Sequence, residues 1–210
     1  GGMKNIQDIY PLSSLQMGIL LHHQMKPVGD TYVMNSLLEI GSDDDLDNLC
    51  RALNNIISRH DVFRTAIVWK LMKQPLQVVL KEAALPVAEV SLQDGQSARE
   101  YFEEKLEPQN LTMDIDLAPK LRLEISRDPK TNEWLGLIQT HHIVVDHVSL
   151  DVIQAEVEAF LNGKEDDLPK AYQYRDFIAY CQSYNDKQDG KDFFMNHLNA
   201  ICEPTYPFGL

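Results

Sequence analysis

The sequence is short of cysteine, of basic charge and of long apolar runs, and each shortage excludes something. Its three cysteines, Cys50, Cys181 and Cys202, are odd in number and form no CxxC pair. Together with the lack of a signal peptide, that count argues against a disulfide framework and for a reducing cytoplasm. Cys50 falls on an apolar helical stripe and reads as packing. Only 19 Lys and Arg stand against 32 Asp and Glu, a formal charge of −13, and no basic cluster reverses the balance locally. A phosphate backbone is a poor partner for such a chain, so nucleic acid is not expected. No apolar run approaches the roughly 20 residues of a membrane helix, so no membrane is expected either. No charged-then-apolar amino terminus marks a signal peptide. Gly1 and Gly2 before Met3 read as a tag remnant. Repeats and low-complexity linkers are absent too.

What is present suits one domain or one large lobe: 210 residues, 44% hydrophobic. A first helix is expected after Pro11, capped by Ser13 or Ser14, carrying Leu15, Ile19, Leu20 and His23 and broken by Pro27 and Gly29. Residues 31–40 alternate as a strand. After the acidic run Asp43, Asp44, Asp45, the residues Leu46, Leu49, Cys50, Leu53, Ile56 and Ile57 share one helical face. Strands follow at 62–69, 76–80 and 87–92, then a helix at 97–106. Residues 121–126 and 134–140 are two strands joined through Asp128-Pro129. A helix spans 148–161 and stops at Asn162-Gly163, and one or two more follow Tyr172. Helices and strands mixed around a central hairpin predict an α/β sandwich, a mixed β-sheet flanked by helices. The Pro-rich ending EPTYPFGL reads as a crossing into a further segment.

Four titratable groups gather between the strand at 134–140 and the next helix: His141, His142, Asp146 and His147. Successive strand residues point to opposite faces, so His141 and His142 cannot share one cleft; one is inward and structural, the other available. Three readings stay open. In one, Asp146 or Ser149 caps the helix and the histidines pack or face solvent. In another the group binds a metal, although the spacing is not HExxH and no Cys or Glu supports it. In the third, a neutral imidazole does acid–base work. No GxSxG elbow occurs, so such a base would activate a group on the substrate.

HHIVVDH resembles the HHxxxDG signature of condensation domains in nonribosomal peptide synthetases, a mark of the wider chloramphenicol-acetyltransferase-like superfamily. YPLSSLQMGILLHH, from Tyr10 to His23, resembles the family's first-helix motif, and SRHDVFRT, from Ser58 to Thr65, resembles its RHExLRT motif. The resemblance implies a chloramphenicol-acetyltransferase-like lobe: residues 3–210 as the amino-terminal lobe, with the carboxy-terminal lobe absent. It also implies donor and acceptor peptidyl carrier proteins that deliver thioesters on 4'-phosphopantetheine arms, with no directly bound cofactor and no metal. His142 would orient or deprotonate the acceptor amine, and His141 would be structural. Asp146 would be a scaffold residue paired with Arg64, or else Arg64 is a solvated strand-end charge.

His147 replaces the motif's usual glycine, and HHIVVDHVS is similar to the form found in dual epimerisation/condensation domains. HHQMKPVGD, with His22, His23, Gly29 and Asp30, resembles that subgroup's HH[I/L]xxxxGD motif apart from Gln24. The resemblance therefore implies peptide-bond formation with prior epimerisation of the donor residue. An extra acid or base would come from His147 beside His142, and His22 and His23 either line the approach or are one exposed and one packed helix residue. The isolated lobe is expected to be inactive and to expose apolar surface where its companion sits. The alternatives are an ordinary condensation domain, a non-catalytic carrier-binding lobe, and a free-standing coenzyme A acyltransferase.

Overall fold

A computed structural model describes residues 3–25, 28–185 and 189–201. Expectations resting on Gly1, Gly2, Pro27, Cys202 and the EPTYPFGL ending lie outside the described residues.

The strands and helices, in chain order, are β1 (Ile6–Pro11), α1 (Ser14–Met25), β2 (Val33–Ile40), α2 (Asp43–Arg59), β3 (Thr65–Val68), β4 (Leu76–Leu80), β5 (Val87–Glu89), α3 (Ala98–Lys105), β6 (Leu121–Arg127), β7 (Trp134–His141), α4 (His147–Leu161), α5 (Tyr174–Asn185) and α6 (Asp189–Leu198). The expected mixed sheet is present in the order β2-β7-β6-β5, with β5 parallel to β6 and the other pairs antiparallel. A second, antiparallel sheet, β1-β4-β3, was not anticipated as a unit. Its strand β1 was missed, and the strand expected at 62–69 begins only at Thr65, after a 3-10 turn over Asp61–Arg64. The strand expected at 87–92 pairs only over Val87–Glu89.

Helix α2 shows why the layers form. Ser42 caps it by accepting from Asp45 N at 3.1 Å, and three aspartates occupy its positive end. Its apolar stripe of Leu46, Leu49, Leu53, Ile56 and Ile57 is buried against Leu121, Leu123 and Ile125 of β6. Each such side chain stabilises by about 1.5–3 kcal/mol on burial. Half-buried Leu150, Ile153, Val157 and Phe160 bring α4 onto the same layer. The opposite sheet face packs Leu135 and Leu137 on Ala98 and Phe102 of α3, so β7 is covered on both sides. The β6–β7 turn is held by the Asp128 carboxylate, which accepts from Lys130 N (2.9 Å) and from Ala98 N at the start of α3 (3.0 Å).

Helix α4 ends in a Schellman motif. Gly163 adopts φ +65°, with Lys164 N bonded to Ala159 O (2.8 Å) and Gly163 N to Phe160 O (3.3 Å). Much apolar surface stays uncovered: Leu15 and Leu21 on α1, Val148 and Val152 on α4, Phe177 on α5, and Phe193 on α6. No helix among the described residues is long and apolar enough to cross a membrane.

Candidate active site at the histidine corner

The chain turns between His141, the last residue of β7, and His147, the first of α4. Ile143, Val144 and Val145, in the middle of this turn, are all buried in the main core. Apolar burial therefore anchors the turn, which leaves its polar residues to face outward. Asp146 caps α4, its carboxylate accepting from Ser149 N (2.8 Å) and Ser149 Oγ (2.7 Å).

A second anchor comes from α1. Ser13 and Gln16 form a reciprocal pair, Ser13 N donating to Gln16 Oε1 (2.9 Å) and Gln16 N to Ser13 Oγ (3.2 Å). Ser13 is thus the capping residue. The buried Gln16 side chain also donates to Ile143 O (2.8 Å) and exchanges bonds with buried Gln77 of β4. Two amides tie α1, the small sheet and the corner together. Sequence reasoning overlooked both, although the S-x-x-Q spacing at 13–16 signalled the first.

The two rings diverge, as strand alternation requires. His141 continues the face of Leu135 and Leu137, is fully buried, and meets Asp30. His142 is half-buried and lines a groove of about 590 Å³ formed with the start of α1, the corner and α5. Tyr174, Phe177, Tyr180 and Cys181 supply the α5 wall. Burial raises Tyr174 to about 12, so its phenol stays protonated at neutral pH. His142 is fixed by its own backbone bond to Tyr32 O (2.9 Å) and by Nδ1 at 3.1 Å from Val145 O. A carbonyl only accepts, so Nδ1 carries the proton. The lone pair of the neutral ring then lies on Nε2, which has no hydrogen-bond partner among the described residues.

His141 has the opposite tautomer. Ile143 N donates to its Nδ1 (3.0 Å), so Nε2 carries the proton and donates to Asp30 Oδ2 (3.0 Å). Burial lowers the pKa of His141 and keeps it neutral. Asp30 also accepts from His23 Nδ1 (2.6 Å) and, through Oδ1, from Tyr32 N (2.9 Å). Burial works to raise its pKa, but the bonds from His141, Tyr32 and His23 outweigh it and hold the carboxyl well below its usual range. Gly29 makes this placement possible. It sits at φ +70°, and a Cβ there would lie 2.2 Å from Pro108 O.

His23, Asp30 and His141 each offer a ligand atom within 4.8 Å of the others. The donor pattern does not suit a metal ion. A ligating Nε2 on His141 would move the proton to Nδ1, where it would confront the Ile143 N–H.

Some expectations need correction. Asp146 is exposed and does not pair with Arg64. Arg64 is buried and donates to Ile57 O (3.0 Å), Ser58 O (3.3 Å), Lys81 O (3.2 Å), Leu80 O and Gln7 Oε1 (2.8 Å). It closes the carboxyl end of α2, where carbonyls lack helical partners and a cation is favourable. Nor is it a solvated strand-end charge. His147 is exposed and is not among the groove's lining residues, nor are His22 and His23. His22 instead meets Tyr32 OH at 2.7 Å.

The two-sheet α/β lobe thus presents one imidazole nitrogen, His142 Nε2, at a groove. Residues 6–198 match the condensation domain family, and the chain belongs to it. It is 38% identical over 212 residues to malpinin synthetase and 36% identical over 211 residues to malpibaldin synthetase, both from Mortierella alpina. Each alignment covers all of this chain but only 3% and 4% of those proteins, respectively. Among solved structures, the complex of the X-domain and OxyB from teicoplanin biosynthesis superposes with a TM-score of 0.75 at 21% identity, over 96% of this chain and 46% of that one. The first condensation domain of the calcium-dependent antibiotic synthetase gives 0.69 at 18% identity, over 95% and 49%. These structures share the fold, and this chain spans about half of each.

Proposed function

We propose that residues 3–210 form the amino-terminal lobe of a condensation domain in a nonribosomal peptide synthetase, joining aminoacyl or peptidyl thioesters held by two carrier proteins. The substrates arrive on 4'-phosphopantetheine arms, and the lobe itself holds no cofactor. One observation carries this reading: the His142 Nδ1–H is committed to Val145 O, which leaves the Nε2 lone pair available at the groove. The acceptor amine attacks the donor carbonyl, a C–N bond forms, the C–S bond breaks, and the amine proton, received or oriented by Nε2, passes to the departing thiolate. The free thiols of Cys50 and Cys181 agree with a cytoplasmic setting.

The finer reading is a dual epimerisation/condensation domain, supported by His147 after Asp146 and by the second histidine motif at 22–30. The ordinary condensation reading is favoured by a different observation: His22, His23 and His147 do not line the His142 groove. The uncovered apolar faces of α4, α5 and α6 support a companion lobe, without which the single lobe is inactive.

The test uses the intact synthetase with loaded carriers. His142→Ala abolishes peptide formation, and near wild-type product would overturn the assignment. An L-loaded donor emerges D-configured in the product; strict retention of the L form leaves only ordinary condensation.

A further inference from the structure

We infer that Asp30 is a positioning residue for the corner: its carboxylate sets the tautomer of His141, and His141 in turn holds the backbone that presents His142. The inference deepens the proposed function and rests on it for its turnover arm alone. The chain of contacts is short. Asp30 Oδ2 accepts from His141 Nε2 (3.0 Å), so His141 Nδ1 is bare. That bare nitrogen accepts from Ile143 N (3.0 Å), the amide directly after His142. The His141 carbonyl accepts from Val144 N (3.0 Å), closing the same turn from the other side. His142 is therefore bracketed by two bonds, of which the one from Ile143 N depends on the tautomer of the His141 ring.

Only a carboxylate meets the demand at position 30. Two oxygens there accept three N–H groups, from His23, His141 and the Tyr32 backbone. An asparagine has one acceptor oxygen and two donors of its own, so one N–H would face another N–H however the amide were turned. Keeping the Tyr32 N–H paired turns Nδ2 toward the two histidines, and the His141 proton then moves to Nδ1, which breaks the bond to Ile143. The placement of Asp30 is itself fixed, because its N–H donates to Leu111 O (2.6 Å) and Gly29 lies against Pro108. His23 shares Oδ2 from the solvent side, which links the surface end of α1 to the buried ring.

Histidine nitrogen NMR on the 210-residue chain reads the tautomer directly. The wild type shows His141 protonated on Nε2, and a wild-type spectrum with the proton on Nδ1 overturns the inference without any variant. In D30N the His141 proton shifts to Nδ1 and the Ile143 amide exchanges faster. In the intact synthetase kcat then falls about 100-fold with KM unchanged, as expected for a misplaced catalytic group. A D30N variant with the wild-type tautomer, or with an altered tautomer and full kcat, overturns the assignment. His142→Gln leaves the His141 tautomer untouched, so full turnover in that variant would refute the proposed function and not the tautomer relation.

Discussion

Replacing Gly18, Gly163 and Gly29 by alanine, one at a time, separates three effects that a single substitution confounds. Gly18 lies exposed within α1, and a Cβ there has nothing within 4 Å. Alanine should stabilise the protein by about 1 kcal/mol through helix propensity alone. Gly163 also has open space around it but sits at φ +65°, so alanine carries only the backbone cost of about 1–2 kcal/mol. Gly29 adds a collision to a similar φ of +70°, because the new Cβ would lie 2.2 Å from Pro108 O, a backbone atom that cannot swing aside. Overpacking of that kind costs about 1–3 kcal/mol more, for a total of about 2–5 kcal/mol. Urea unfolding at constant m-value measures all three, and the expected order of midpoints is Gly18→Ala, wild type, Gly163→Ala, Gly29→Ala. A Gly29→Ala midpoint no lower than that of Gly163→Ala would refute the close-approach argument, and with it the claim that Gly29 is needed to seat Asp30.

Asp146→Asn should change stability by less than about 0.5 kcal/mol, since asparagine caps a helix as well as aspartate; a loss of several kcal/mol in denaturant titration would restore an ion pair at that position. Glu156 is buried between Arg59 Nε (3.0 Å) and His60 Nε2 (2.5 Å), so Glu156→Ala should cost about 3–5 kcal/mol in the same assay. Burial lowers Lys120 to about 7 from an unfolded value of 10.5. Between those values the unfolded chain binds more protons than the folded one, so this lysine makes stability rise with pH above about 7. Lys120→Met should flatten that rise, and an identical pH slope in wild type and variant between pH 7 and roughly 9 would contradict a desolvated amine.

The elements legible in the sequence were those with one clear apolar stripe. Helix α2 could be read because Leu46, Leu49, Leu53, Ile56 and Ile57 repeat at helical spacing behind a capping serine. Strand β1 could not, because it belongs to a small sheet whose faces are only partly covered, and Gln7 and Asp8 interrupt any apolar run. Residues 62–64 read as strand because Val62 and Phe63 are strand formers, whereas tertiary contacts wind them into a 3-10 turn. At the site, the corner and the divergence of its two histidines were legible from local order. The partner of His141 was not, since Asp30 lies 111 residues away and nothing local joins them. Arg64 was misjudged for a related reason. A charge invites a search for the opposite charge, but the carbonyls at a helix end can satisfy a guanidinium as well as a carboxylate does.

The stretch Ile143, Val144 and Val145 is more than a spacer between His142 and Asp146. All three side chains are sunk in the hydrophobic interior, so the loop's length is dictated by oil and not by catalysis. One inserted residue would have to lift a valine into water or drag the imidazole off its carbonyl. A polar replacement at 144 would then read, in any activity screen, as the loss of a reactive group. The lesion would in fact lie in the apolar anchoring of the turn, with the imidazole chemically intact.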